Sequence, residues 1–314
     1  MSLTIGVDVG GTKVAAGVVD DRGRIIEKLR RATPAASPER TAAVIAGAVA
    51  ELRGRHEASA VGVGAAGFVD EAGGTVVFAP NLAWRGEPLR TKVAGLVGLP
   101  VMVDNDANVS AWAEVRFGAA RGHDQVICVS VGTGIGAGIV LGGRLYRGRW
   151  GMAGEPGHVR VVPEGRLCGC GNRGCWEQYA SGSALVTEAR DLALRSPAGA
   201  MRLLQLAGGD AAAIGGTQIT AAAREGDPAA LRCFSIVGSW LGQGLADLAA
   251  ILDPGCIVIG GGVSEAGELL LGPARAAFDK ALTGGGYRPQ VEITRAALGA
   301  DAGIVGAADL VRSY

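Results

Sequence analysis

Four side chains that suit a soft metal stand close together in this chain. They are His158, Cys168, Cys170 and Cys175, within GEPGHVRVVPEGRLCGCGNRGCWE. Zinc takes tetrahedral sulfur and nitrogen ligands, and three cysteines with one histidine fill all four positions. A filled site leaves no open position for Lewis-acid chemistry, so the pattern predicts a structural zinc rather than a catalytic one. Three unligated thiols are the alternative. Glu155 lies three residues before the histidine, and Glu177 two residues after the last cysteine. Either could be an ordinary surface acid. A zinc knot that fixed both would pre-organise two carboxylates able to bind hydroxyl groups.

A second candidate is VDNDAN, Val103 to Asn108. Val101 and Val103 alternate into the acids, which puts Asn105 and Asp106 at the C-terminal end of a strand, the edge where open α/β sheets bind ligands. Asp106 suits a general base on a hydroxyl proton, with Asn105 holding a neighbouring hydroxyl. Equally, Asp106 could N-cap the following helix, and capping would lower its pKa. The residues alone leave both readings open, and the two are compatible.

Glycine turns supply the third signal. In DVGGTK, Asp8 to Lys13, Gly10 and Gly11 let backbone N–H groups face a phosphate, while Thr12 adds a hydroxyl and Lys13 a charge. An ordinary hairpin turn is the plain alternative. It is not a P-loop, because TK stands where that motif needs Lys then Ser or Thr. In GTGIGAG, Thr133 and Gly134 occupy the equivalent turn of a second copy. Two such turns could hold a polyphosphate from both sides. In IVIGGGVS, a buried strand ends in Gly260, Gly261 and Gly262, where a flat group such as adenine could approach the backbone.

The elements that carry these residues form a repeat. TIGVDVG, GTKVAAGVV and GRIIEKL read as an antiparallel meander. A helix follows, with Ser37 as N-cap and Pro38 at its first position. AVGVGAAG, TVVF and LPVMVDND read as strands, and residues 107–117 as a helix. ICVSVGTGIGAGIVLGGRLYRG then repeats the opening pattern at an offset of about 122 residues, which implies two lobes of one architecture. Helices are expected over 179–194, 220–225, 228–252 and 265–282, strands at CIVIGGGVS and QVEIT, and a closing helix at DAGIVGAADLVRSY. The expected division is a small domain of 1–117 plus 301–314 and a large domain of 118–300 that contains the zinc segment 158–175.

Composition excludes several classes. The 314 residues are 48% hydrophobic with a net charge of zero, which favours neither nucleic acid nor an anionic membrane. The start, MSLTIGVDVG, has neither the basic region nor the apolar stretch of a signal peptide. Residues 126–143 carry no charge, but their alternating glycines read as strand, turn, strand rather than a membrane span. Cys128, Cys233 and Cys256 lie among apolar residues and read as buried thiols. Together the cysteines fit a reducing compartment, so the expected location is cytoplasmic.

With these residues assembled, the chain resembles the ROK family of sugar kinases and repressors, and within it the bacterial glucokinases. DVGGTK, VDNDAN, GTGIGAG, GEPGH, CGCGNRGCWE and IGGGVS carry the resemblance, in the family's order and over nearly the whole chain. The resemblance implies an α/β, two-lobed, duplicated ribonuclease-H-like (actin-like ATPase) fold with a cleft between lobes. It implies transfer of the γ-phosphoryl of ATP, with Mg²⁺, to the 6-hydroxyl of a hexose, glucose first. Asp106 is then the general base. Asn105, Asp106, Glu155, His158 and Glu177 meet the sugar, with Gly67 and Asn81 nearby, and His158 serves both zinc and sugar. Asp8, Gly10, Gly11, Thr12, Thr133 and Gly134 surround the phosphates and Mg²⁺, with Lys13 in the same turn and Gly261 and Gly262 at the adenine. A homodimer or homotetramer is expected. The family's repressors add an N-terminal helix-turn-helix, and the strand starting at about Thr4 leaves no place for one. Kinases of N-acylmannosamine, N-acetylglucosamine, mannose or fructose, polyphosphate as donor, and a non-catalytic sugar sensor are the alternatives.

Overall fold

A computed structural model describes residues 2–313. The chain runs β1 (Leu3–Val9), β2 (Lys13–Val19), β3 (Ile25–Ala32), α1 (Pro38–Arg53), β4 (Ala58–Ala65), β5 (Phe68–Val69), β6 (Val76–Phe78) and β7 (Arg85–Glu87). It continues with α2 (Leu89–Val97), β8 (Val101–Asn105), α3 (Asp106–Phe117), β9 (Val126–Val131), β10 (Ile135–Leu141) and β11 (Arg144–Leu145). Then follow α4 (Glu177–Ala180), α5 (Gly182–Arg195), α6 (Met201–Leu206), α7 (Gly216–Arg224), α8 (Pro228–Leu252), β12 (Cys256–Gly260), α9 (Glu268–Ala281), β13 (Glu292–Arg295) and α10 (Ala302–Leu310).

The duplication inferred from sequence is visible in the sheets. One has strand order β3-β2-β1-β4-β8 and the other β11-β10-β9-β12-β13. Each is a meander extended by two strands that follow helical crossovers. β1 is antiparallel to β2 and parallel to β4, and β4 is parallel to β8. β12 is likewise parallel to β13. Parallel strands need such crossovers, whose helices cover the sheet. A small third sheet, β5-β6-β7, holds the loop bearing Gly67.

Two compact units result. The first comprises residues 1–128, 137–154 and 296–314, and the second 129–136 and 155–295. This differs from the division at 117/118 and 300/301 expected from sequence. Part of the second repeat belongs to the first unit, because Gly138 of β10 lies where a Cβ would strike Ala107 and Ala111 of α3.

In the first unit, Ile5, Val7, Val61, Val63 and Val103 join Ile45, Val49 and Leu52 of α1 in one apolar core. The other face of the sheet is covered by α10, all nine of whose residues are buried. This helix packs backbone against backbone. A Cβ at Gly6 or Gly62 would overlap the carbonyl oxygen of Ile304 or Ala307. Helix α1 starts as expected, with the Ser37 side chain accepting from the Arg40 N–H and Pro38 following.

The second unit is mainly helical. Helix α8 is long and apolar enough to cross a membrane by length and composition. It packs on α9, with Gly238 and Gly242 against Pro273 and Ala274. The helix expected over 179–194 is two, because Ser181 leaves helical geometry and caps α5 through the Ala184 N–H. Helices α2 and α6 and strands β5 and β7 were not anticipated. They are short, and α6 has no side-chain cap to announce it.

Candidate active site

In the first unit, β1 delivers Asp8, β8 ends in Asn105, and α3 begins at Asp106. The Asn105 side chain, not that of Asp106, caps α3: its Oδ1 accepts from the N–H groups of Ala107 and Asn108 at 2.8 and 3.1 Å. Asp106 is the first helical residue. Its Oδ1 accepts from the Ala107 N–H at 3.0 Å and from Asn105 Nδ2 at 3.1 Å. The same amide group of Asn105 donates to the Gly67 carbonyl at 3.0 Å, which brings Gly67 beside the pair.

The electrostatics also correct the sequence reading. Burial, and then the charge of Asp8, raise the Asp106 carboxyl from 3.8 to about 6. Its hydrogen bonds pull the other way and do not win. Burial likewise raises Asp8, with Lys13 opposing it. A raised carboxylate that remains mainly ionised at neutral pH suits a general base better than a strongly acidic cap would.

The first glycine turn closes through the Gly10 N–H and the Lys13 carbonyl at 2.9 Å. Thr33 Oγ1 supports it from below, donating to the Gly10 carbonyl at 2.8 Å. A Cβ on Gly11 would stand 3.2 Å from Cβ of Asn81, so the loop with exposed Asn81 borders the turn. Thr12 and Lys13 are exposed there. Asp8 and Asp106 are close enough for one carboxylate to raise the other's pKa, and the Asp8 carboxylate is an oxygen donor of the kind that a hard cation such as Mg²⁺ takes.

In the second unit, His158, Cys168, Cys170 and Cys175 converge, with ligand atoms all within 4.8 Å of one another. Sγ of Cys170 and of Cys175 are 3.6 Å apart, and Sγ of Cys168 is 3.7 Å from Nδ1 of His158. Zn–S bonds of about 2.3 Å at tetrahedral angles require edges of roughly 3.8 Å, so the donor set fits zinc. Backbone bridges between Arg160 and Cys175 and between Leu167 and Arg173 hold the loop. With Nδ1 turned to the cysteines, Nε2 of His158 lies 4.0 Å from Oε2 of Glu155. Burial pushes Cys233 to about 11 and Cys256 to about 12.

Glu177 connects this loop to the second glycine turn. Its Oε1 lies 3.1 Å from Sγ of Cys168, and its Oε2 accepts from the Ile135 N–H at 3.3 Å. Gly134 permits that approach, because a Cβ there would overlap Oε2 of Glu177. The turn is closed by the Gly132 N–H on the Gly134 carbonyl at 3.0 Å, and the Gly132 carbonyl accepts from Gly182 at the start of α5 at 2.8 Å. Thr133 is exposed at its tip, and Gly261 and Gly262 are exposed just past β12.

The structure thus gathers the sequence-derived residues into one group per unit. Asp8, Gly10–Lys13, Gly67, Asn81, Asn105 and Asp106 belong to the first, and the others to the second. Sequence reasoning missed Asp104 and Arg147. Asp104 is buried, and its carboxylate takes both Nε and Nη2 of Arg147. A charged residue inside an apolar strand was the available signal. Its partner, distant in sequence, gave none.

Comparison with known proteins extends this picture. The model of a family described as the ROK family matches residues 4–314. A glucokinase of Streptomyces coelicolor is 51% identical over 312 residues, covering 99% of this chain and 98% of its own. The crystal structure of a ROK family glucokinase from Streptomyces griseus, in complex with glucose and AMPPNP, is 54% identical with a TM-score of 0.90 and covers all of both chains. A ROK hexokinase from Thermus thermophilus is 36% identical with a TM-score of 0.78, covering 98% of this chain and 97% of its own.

Proposed function

Since the chain belongs to the ROK family, we propose that it is an ATP-dependent glucokinase that transfers the γ-phosphoryl of ATP to the 6-hydroxyl of D-glucose. Full-length identity above one half to a glucokinase solved with glucose and AMPPNP carries this reading. The geometry supplies a mechanism to go with it. Asp106 accepts the 6-hydroxyl proton as that oxygen bonds to the γ-phosphorus, and the bond from phosphorus to the departing ADP oxygen breaks. A carboxyl with a pKa of about 6 is mainly ionised at neutral pH and ready to do so. Asn105, whose amide donates to Asp106 and to the Gly67 carbonyl, orients the neighbouring hydroxyl by exchanging one of those two donations for the sugar.

Glu155, His158 and Glu177 bind further sugar hydroxyls, with Gly67 and Asn81 at the margin. Asp8, Gly10, Gly11, Thr12, Lys13, Thr133 and Gly134 receive the phosphates through backbone N–H groups and hydroxyls, and Gly261 and Gly262 border the adenine. Asp8 is the residue that would hold Mg²⁺, which when bound neutralises phosphate charge. His158, Cys168, Cys170 and Cys175 would hold zinc, whose filled shell supplies rigidity and no open coordination position. Reduced thiols fit a cytoplasmic enzyme, and a homodimer or homotetramer is the assembly proposed.

The test is a coupled ADP-release assay across hexoses and phosphoryl donors. The expected result is the highest kcat/KM with glucose and ATP. A higher value with N-acylmannosamine, N-acetylglucosamine, mannose or fructose, or with polyphosphate as donor, would reassign the substrate. No turnover with any hexose would make the chain a sugar sensor.

A further inference from the structure

Asp104 stands two positions before Asp106, on the last turn of strand before the proposed base. Only 3% of it is exposed. Its Oδ2 accepts from Nε and Nη2 of Arg147 at 2.8 and 2.6 Å. Its Oδ1 accepts from the Asn105 N–H at 2.7 Å and from Nδ2 of the buried Asn108 at 2.9 Å. Two donors therefore reach each carboxylate oxygen. A buried ion pair is a poor source of stability, because desolvation offsets most of the attraction, while a fully hydrogen-bonded one fixes geometry closely.

The direction in which geometry is passed on can be followed bond by bond. Asp104 fixes the Asn105 backbone. Asn105 Oδ1 then caps α3, and its Nδ2 reaches Oδ1 of Asp106. At the other end, the Arg147 carbonyl accepts from the Ala153 N–H at 3.0 Å, which closes the arm of residues 147–153. Arg147 itself sits in that arm just after β11. We propose that Arg147 and Asp104 are positioning residues for phosphoryl transfer, holding Asp106 through Asn105. The proposal rests on the reading of Asp106 as the base.

Three variants test it. Arg147→Met removes the donors and keeps the apolar stem. Asp104→Asn with Arg147→Met removes both charges, so that no buried ion is left unpaired. Arg147→Lys keeps the charge but not the paired donors. Each folded variant is assayed for kcat and for both KM values. Since about 1 Å of misplacement can cost on the order of 100-fold, the expected loss in kcat is about 10- to 100-fold. KM for ATP should stay within about twofold, Arg147→Lys should recover part of the loss, and the double variant should lose about as much as Arg147→Met alone. Wild-type kcat in any folded variant, or a loss confined to KM, overturns the proposal. If Arg147→Met does not fold, the other two decide by the same criteria. Asp106→Asn is assayed beside them. If it keeps turnover, the base assignment fails and this proposal with it. An inactive Asp106→Asn beside a fully active Arg147→Met overturns the positioning role alone.

Discussion

Replacing Asp106 by asparagine should make the protein more stable and nearly inactive, and both halves follow from one environment. Burial and the neighbouring Asp8 raise this carboxyl from 3.8 to about 6. At about 1.4 kcal/mol per pKa unit, an ionised Asp106 costs the fold roughly 3 kcal/mol. The sign follows from proton binding. The folded carboxyl binds its proton more tightly than the unfolded one, so the cost is absent below about pH 3, where both states are protonated. It grows as pH rises and is complete above about pH 6; at pH 5 roughly half has accrued. Asparagine keeps an acceptor for the Ala107 N–H and carries no charge. The variant should therefore gain roughly 2–3 kcal/mol at pH 7.5 and about half that at pH 5, raising Tm by several degrees. Its kcat should fall by at least about 100-fold, the usual scale for losing a general base. For the wild type, kcat/KM reports the free enzyme and should drop about tenfold between pH 7 and pH 5. Thermal unfolding at both pH values, with coupled ADP release, measures all of this. A stability gap that does not shrink in acid would show that the fold does not hold the Asp106 charge at a cost, and an unchanged kcat would show that it is not the base.

Two further outcomes concern the second unit. Elemental analysis should find about one zinc per chain, as a filled three-cysteine, one-histidine site requires. Chelation should lower Tm and raise KM for glucose, and a metal-free protein with unchanged KM would remove the argument that zinc places Glu155, His158 and Glu177. Gly134→Ala would put a methyl group onto Oε2 of Glu177. KM for glucose should then rise on the order of tenfold or more, although Gly134 belongs to a phosphate turn; an unchanged glucose KM would mean that Glu177 does not bind the sugar.

What could be read from the sequence was whatever local pattern determines. The meander and its repeat depend on alternation and glycine spacing, and β3-β2-β1 and β11-β10-β9 have the order that a meander implies. The zinc loop was legible because its ligands are neighbours in the chain. Packing between distant segments was not. The closing helix α10 was legible, but not that it is buried throughout, which follows because Gly6 and Gly62 let the sheet reach its backbone. Arg147 lies 43 residues from Asp104, and nothing in its surroundings announces the pair. The most informative question that the sequence left open was a small one. Asn105 and Asp106 are adjacent and either side chain can cap a helix, so sequence could not choose between them. The structure gives the cap to Asn105, and the consequence reaches the chemistry. A capping carboxylate is held acidic by the N–H groups it accepts from. One residue further on, Asp106 loses most of that stabilisation, is half-buried and desolvated, and faces the charge of Asp8. A neutral amide does the capping, and the carboxylate beside it is left basic enough to take a proton.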